Sequence, residues 1–190
     1  MKMVSVFGSP YAASRSAALL RWSEAQLALS ALSLHAIALR DLPATALPQA
    51  QFEDAGLQAL LRQVAEADVV LLATPMNKVA YSGLLKVFLN LLPQNGLDGK
   101  NMLPPATGGS LAHLLALDDG LRPKLHALGA RQLLDSVFAT DRQFQKHPTL
   151  GYVPDAEYSA RVDRLLQPLM QAPPRAAAAH AVQVATAGTC

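Results

Sequence analysis

The stretch MVSVFGSPYAASRS, residues 3–16, decides the fold of this chain. Its apolar run, residues 3–7, ends at Gly8 with Pro10 close behind, and an amphipathic stretch follows from Ser14 to about Leu29. This order predicts a strand, a tight turn and a helix. The first N–H groups of a helix lack partners within the helix, and the helix dipole favours negative charge beside them. The turn therefore predicts an anion site.

The turn carries hydroxyl groups and one guanidinium, from Ser9, Ser14, Arg15 and Ser16, and all of them suit a phosphate. It lacks the Gly-Lys-Ser/Thr of a Walker A loop and the G-x-G-x-x-G pattern of dinucleotide-binding proteins. A hydroxyl-rich turn here is typical of a site for one terminal phosphomonoester in a flavodoxin-like fold. The alternative is an ordinary strand–helix turn in which Ser14 only caps the helix.

Composition bounds the class of protein. Residues 1–170 are expected to form one domain, followed by an Ala/Pro-rich tail over residues 171–190. Hydrophobic residues make up 51% and charged residues 16%, which excludes a largely disordered chain. The net charge of +2 gives no argument for nucleic acid or a membrane as partner. One cysteine, Cys190, provides no disulfide framework or metal site, so we expect a cytoplasmic protein without a metal.

Strands and helices are predicted to alternate along the chain. After the first strand, apolar runs predict strands at residues 33–39, 68–74, 101–107 and 133–139, although Pro104 and Pro105 weaken the third of these. Helical spacing predicts helices around residues 57–64, 84–92, 111–128 and 158–169, with a kink or bulge at Gly120 and Pro123. We therefore expect an α/β fold with a flavodoxin-like, doubly wound, five-stranded parallel sheet, order 2-1-3-4-5, and helices on both faces.

Three loops leave the carboxyl ends of the first, third and fourth strands of this sheet. They lie at residues 8–16, 75–83 and 107–110, and all are rich in Gly, Pro, Ser, Thr or Asn. Ligands of open α/β sheets bind at these ends. The convergence of the loops is the main sequence argument for a ligand site.

The same loops resemble those of the NAD(P)H-dependent FMN reductases of two-component sulfonate utilisation. The similar motifs are GSP and SRS within residues 8–16, ATP and KVAYSGLLK within residues 73–86, and LP and ATGGSLAH within residues 103–113. The resemblance covers about residues 3–169. It implies hydride transfer from NADPH or NADH to FMN, with reduced FMN passed to a flavin-dependent monooxygenase.

The resemblance also implies the cofactor-binding residues, in three groups. The FMN phosphate is expected at Ser9, Ser14, Arg15 and Ser16. The edge of the isoalloxazine ring is expected along Pro75, Met76, Asn77, Lys78 and Val79, and its pyrimidine end near Thr107, Gly108, Gly109 and Ser110. No catalytic side chain is expected, because the flavin carries the chemistry.

Two positions depart from the family's pattern. Asn77 stands where the family commonly has an aromatic residue. Asp119 stands where related reductases insert a Tyr or His that forms a π-bulge at a subunit interface and is tied to the use of flavin as a substrate. These departures leave open a reductase with tightly bound FMN that acts on quinone, azo or metal-oxyanion acceptors.

Another class of function also stays open, a non-catalytic flavin-binding or electron-carrier module. Flavodoxin-type carriers are usually strongly acidic, and this slightly basic chain disfavours that role. Low charge and many Leu and Ala residues favour apolar surface buried between subunits, so we expect a homodimer or homotetramer. The sequence does not decide between NADH and NADPH.

Overall fold

The structure is a computed structural model that describes residues 1–28, 33–110, 112–135 and 137–171. Leu29 and Leu111, which the predicted first and fourth helices include, lie outside these residues, as do residues 172–190 of the predicted tail.

The described elements alternate along the chain as expected. The strands are β1 (Lys2–Phe7), β2 (Ser33–Ala38), β3 (Val69–Asn77), β4 (Ala80–Tyr81), β5 (Asn101–Leu103), β6 (Ala106–Gly108), β7 (Gln132–Leu133), β8 (Phe138–Thr140), β9 (Phe144–His147) and β10 (Gly151–Pro154). The helices are α1 (Arg15–Ala28), α2 (Ala55–Glu66), α3 (Gly83–Leu91), α4 (Ala112–Ala127) and α5 (Ala156–Gln171). None of these helices is long and apolar enough to cross a membrane.

The central sheet has the predicted strand order. Its path is β2-β1-β3-β5-β7, with every neighbouring pair parallel. Beyond a break in each strand, β6 and β8 take the places of β5 and β7, with β6 paired to both β3 and β8. With each broken pair counted as one strand, the order is 2-1-3-4-5. The α/β, doubly wound, flavodoxin-like prediction is confirmed.

Helices cover both faces of the sheet. Alternate residues of β3 point to opposite sides, with Val70 and Leu72 in one apolar cluster and Leu71 and Ala73 in the other. The first cluster takes buried leucines from α2, α3 and α4, and the second takes apolar residues from α1 and α5. A strand buried on both faces needs a continuous apolar run, which is the pattern in residues 69–73.

Prolines shape the strands near the site. Pro104 and Pro105 separate β5 from β6 because neither has an N–H for the ladder. By contrast, β3 continues through Pro75 to Asn77, past its predicted end at Thr74. The N–H of Thr74 donates to the carbonyl of Pro105 at 3.1 Å, so the nitrogen of Pro75 faces the β1 side, where the ladder has already ended.

The sequence analysis predicted neither of two hairpins. One is formed by β3 and the short β4. The other is formed by β9 and β10, in a segment to which we assigned no element, and it packs on α1.

Candidate active site

The three predicted loops lie together at the carboxyl edge of the sheet. Phe7 pairs with Ala73 and Pro75 pairs with Thr107, so β1, β3 and β6 end side by side. The N–H of Gly8 donates to the carbonyl of Ala73 at 2.8 Å and holds the first loop against β3.

Ser82 joins the first loop to the second. Its Oγ donates to the carbonyl of Gly8 at 2.5 Å and accepts the N–H of Leu85 at 3.2 Å as the N-cap of α3. Its N–H donates to Thr74 Oγ1 at 3.0 Å. A Cβ at Gly8 would lie 2.9 Å from Leu85 Cβ, so the close approach requires glycine. Sequence reasoning missed Ser82, although a serine before a helical apolar pattern is an N-cap signal.

The first loop places hydroxyl groups at the start of α1. Ser14 Oγ accepts the N–H of Ala17 at 3.2 Å and lies 3.0 Å from Ser16 Oγ. Ser9 is fully buried, and its Oγ accepts the N–H of Tyr11 at 3.1 Å. Ser14 therefore does cap the helix, as the simpler interpretation required. Ser16 adds a second hydroxyl at the helix start, but its side chain is fully buried behind the loop surface.

The guanidinium of Arg15 lies against the β9–β10 hairpin and the turn before it. It stacks 4.9 Å from the centroid of the Tyr152 ring, and its Nη1 lies 3.5 Å from Asp141 Oδ1. Its Nε is buried and has no hydrogen-bond partner among the described residues. A guanidinium held in place, on a residue whose sequence neighbours Ser14 and Ser16 carry hydroxyl groups, fits a phosphate.

The second loop turns tightly. Lys78 and Val79 have φ values of +48° and +64°, as a two-residue type I′ hairpin turn requires, although glycine and asparagine are the usual residues there. Asn77, Lys78 and Val79 are exposed at the rim of the site, whereas the side chain of Met76 packs in the core. A ligand beside this loop would meet its backbone and the exposed side chains.

The third loop contains two glycines with different surroundings. A Cβ at Gly108 would lie 2.9 Å from His113 Cβ, whereas no atom lies within 4 Å of a Cβ built at Gly109. Ser110 Oγ lies 3.1 Å from His113 Nδ1 and fixes the imidazole beside the loop. Packing therefore requires Gly108, and Gly109 leaves open surface on which a flat ring can approach the backbone.

The helix after the third loop differs from one expectation. A kink or a bulge was expected at Gly120 and Pro123. α4 is α-helical through both residues, so it has no bulge there, and Asp119 is exposed on this helix. The Cα of Gly120 faces Tyr81, whose ring lies 3.7 Å from a Cβ built there, so α4 and the β3–β4 hairpin pack closely. Burial raises the pKa of the Tyr81 hydroxyl.

A doubly wound parallel sheet in the order 2-1-3-4-5, with three loops meeting at its carboxyl edge, is the architecture of the flavodoxin-like class of α/β proteins. A sequence model of the family described as NADPH-dependent FMN reductase matches residues 1–145, and the chain belongs to this family. The resemblance noted from the sequence is therefore confirmed. The family makes the protein an oxidoreductase, with FMN and NADPH or NADH as the implied ligands.

Individual proteins give the same result. The chain is 38% identical over 173 residues to FMN reductase (NADPH) of Escherichia coli K12, covering 90% of each chain. It is 43% identical over 143 residues to FMN reductase (NADPH) of Pseudomonas putida, covering 75% of this chain and 73% of the relative. The apo structure of the NADH:FMN oxidoreductase EMOB is 36% identical, with a TM-score of 0.79 over 88% of this chain and 87% of the other.

Proposed function

We propose that this protein transfers a hydride from NADPH or NADH to FMN and passes the reduced FMN to a flavin-dependent monooxygenase of sulfonate or organosulfur utilisation. The observation that carries the proposal is the meeting of the three loops at one edge of the sheet, in a chain of the FMN reductase family. The resemblance of these loops to the reductases of sulfonate utilisation supports the finer assignment.

In this proposal the FMN phosphate lies at the start of α1. Ser14 offers a half-buried hydroxyl group that lies 3.0 Å from the hydroxyl of the fully buried Ser16, and the partly exposed guanidinium of Arg15 offers charged donors. The free N–H groups and the dipole of α1 add to the attraction. The buried Ser9 shapes the loop through its bond with Tyr11.

The flat ring then lies between the other two loops. Its edge follows residues 75–79, where Asn77, Lys78 and Val79 are exposed, and its pyrimidine end meets residues 107–110, where Gly109 leaves space. FMN supplies the capacity to accept a hydride. The protein orients the ring and places N–H donors where negative charge develops on it, so no acid or base side chain is required.

We also propose that the protein is a cytoplasmic homodimer or homotetramer. Two large apolar side chains near the site support association, Val79 and Leu115, which are 65% and 67% exposed. The proposed reaction consumes NADPH or NADH, which the cytoplasm supplies, and this supports a cytoplasmic location. Sedimentation equilibrium tests the assembly, and a single monomeric species would contradict it.

The test of the activity is NADPH or NADH oxidation by the purified protein with and without added FMN. We expect saturable oxidation that requires added FMN, and sulfite release from an alkanesulfonate when a sulfonate monooxygenase is included. Failure of folded protein to oxidise either nicotinamide in the presence of FMN would contradict the reductase. Oxidation that never supports the monooxygenase would contradict the delivery role.

A second function has one observation in its favour. Asp119 lies on a regular α-helix, without the π-bulge that the resemblance ties to flavin as a substrate. This supports a reductase that retains FMN and reduces a quinone, azo or metal-oxyanion acceptor. Protein that stays yellow after dialysis, and needs a quinone but no added FMN for NAD(P)H oxidation, would favour this second function over the first.

A further inference from the structure

We infer that Tyr152 is a positioning residue that holds Arg15 ready for the FMN phosphate and thereby sets the preference for FMN over riboflavin. The inference rests on the proposed function, since it concerns the same phosphate site. Tyr152 lies beyond residues 1–145, which the family model matches, and the sequence analysis gave it no role.

The contacts of Arg15 carry the inference. Its guanidinium lies over the face of the Tyr152 ring at 4.9 Å from the centroid, and Nη1 lies 3.5 Å from Asp141 Oδ1. The side chain is still 36% exposed, and its Nε has no hydrogen-bond partner among the described residues. The ring face and the carboxylate thus hold the cation, while the exposed part of its side chain stays open to a ligand.

The ring that holds Arg15 is itself fixed. Tyr152 packs edge-to-face on Phe144 of the paired strand, with the ring centroids 6.5 Å apart and an angle of 83° between the planes. The pairing of β9 with β10 joins the two residues' strands. The face of the Tyr152 ring is therefore oriented before any ligand binds.

The hairpin is also fastened to α1, the helix that begins with Arg15. Arg21 Nη2 donates to the carbonyl of Leu150 at 3.2 Å, and β10 packs against α1. At the open end of the hairpin, the N–H of Asp155 donates to the carbonyl of Gln143 at 2.8 Å and keeps the two strands together. The hairpin is therefore held against α1, and the side chain of Arg15 bridges the helix start and the hairpin.

Holding Arg15 in place before FMN binds should lower the entropy cost of binding the phosphate. A free arginine side chain loses rotamer freedom when it binds an anion, and a side chain already held in place loses less. Riboflavin has no phosphate and gains nothing from Arg15. Tyr152 therefore raises affinity for FMN while leaving affinity for riboflavin unchanged.

The experiment measures the dissociation constants of FMN and riboflavin for wild type, Tyr152→Leu, Tyr152→Phe, Arg15→Ala and the double variant Arg15→Ala/Tyr152→Leu. We expect Tyr152→Leu to weaken FMN about three- to fivefold, as loss of an exposed cation–π contact implies. Tyr152→Phe keeps the ring and should keep FMN affinity. In the Arg15→Ala background, Tyr152→Leu should have no further effect, because the tyrosine acts through the arginine.

Three results would overturn the inference: FMN affinity unchanged by Tyr152→Leu, an equal loss for riboflavin, or the same FMN loss in the Arg15→Ala background. Thermal unfolding without ligand checks the folding of each variant, and Tyr152→Met replaces the leucine variant if that fails to fold. If the wild-type protein bound FMN and riboflavin equally well, this would contradict the inference about Tyr152 but not the proposed function. Wild type that binds neither flavin would contradict the proposed function itself.

Discussion

Ser82 donates its hydroxyl to the carbonyl of Gly8 at 2.5 Å and so joins two loops that start from different strands. Because the same hydroxyl caps α3, the start of this helix and the turn after β1 share one anchor. The position of the first loop beside the second therefore depends on a side chain that no ligand needs to touch.

Ser82→Ala should destabilise the protein by about 2 kcal/mol, since it removes a helix cap and leaves the buried Gly8 carbonyl without its donor. Urea unfolding measures the loss. Ser159→Ala is the matched control, because Ser159 makes only a local bond, to the carbonyl of Asp155 just before its own helix. Equal losses for the two variants would contradict the anchoring role of Ser82.

The neighbouring glycines of the third loop should differ on substitution. Gly108→Ala places a methyl 2.9 Å from His113 Cβ and should cost about 1–3 kcal/mol of stability, as overpacking does. Gly109→Ala meets no atom and should stay within about 0.5 kcal/mol, while weakening FMN through its methyl group. Thermal unfolding and FMN titration check both variants. If Gly109→Ala lost stability but kept its FMN affinity, Gly109 would be a packing residue and would not lie beside the flavin.

Val79→Gly should stabilise the fold by about 1 kcal/mol. A β-branched residue at φ +64° is strained, and glycine relieves that strain. Val153→Gly in β10 is the control, and it should destabilise because a strand residue gains nothing from glycine. Chemical denaturation gives both values, and the account is wrong about the turn if the two variants lose stability alike.

Glu24→Gln tests the effect of burial on a carboxyl group. Burial raises the pKa of Glu24 above its ordinary 4.5, and the Ser5 hydroxyl bond and Arg21 oppose the shift. The folded state then binds the proton more tightly than the unfolded state, so stability falls as pH rises through the raised pKa. The free energy of unfolding gained by Glu24→Gln should therefore be small below about pH 4.5 and grow with pH.

Glu66→Gln is the control with the opposite sign. The hydrogen bond from Lys2 lowers the pKa of Glu66, so its ionised form stabilises the fold above the ordinary 4.5 and that contribution disappears as pH falls through the lowered pKa. Its substitution should cost stability near neutral pH and little in acid. Urea unfolding of both variants at several pH values measures these changes in the free energy of unfolding. If the stability gained by Glu24→Gln decreased as pH rises, the effect of burial on Glu24 would be contradicted.

Local patterns predicted the sheet order and the three loops, because apolar runs and turn residues lie close together in sequence. The contacts that shape the site escaped prediction because they are long-range. Ser82 and Gly8 lie 74 residues apart, and nothing in either loop identifies the other as its partner. The β9–β10 hairpin was missed because only Phe144 and Pro154 in it are buried, so its alternation is weak.

The strand breaks have a similar origin. Pro104 and Pro105 were recognised as unable to donate to a ladder, but the sequence does not tell whether a strand ends there or resumes. The strand resumes as β6 because the N–H of Ala106 donates a hydrogen bond to the carbonyl of Val137 at 3.0 Å. The distant strand, not the proline pair, decides the outcome.

A crystal structure of the protein with FMN bound would show where the phosphate and the ring lie. We expect the phosphate within hydrogen-bond distance of Ser14, Arg15 and Ser16, and the ring between residues 75–79 and 107–110. FMN bound with its phosphate away from the start of α1, or with its ring outside these two loops, would contradict it.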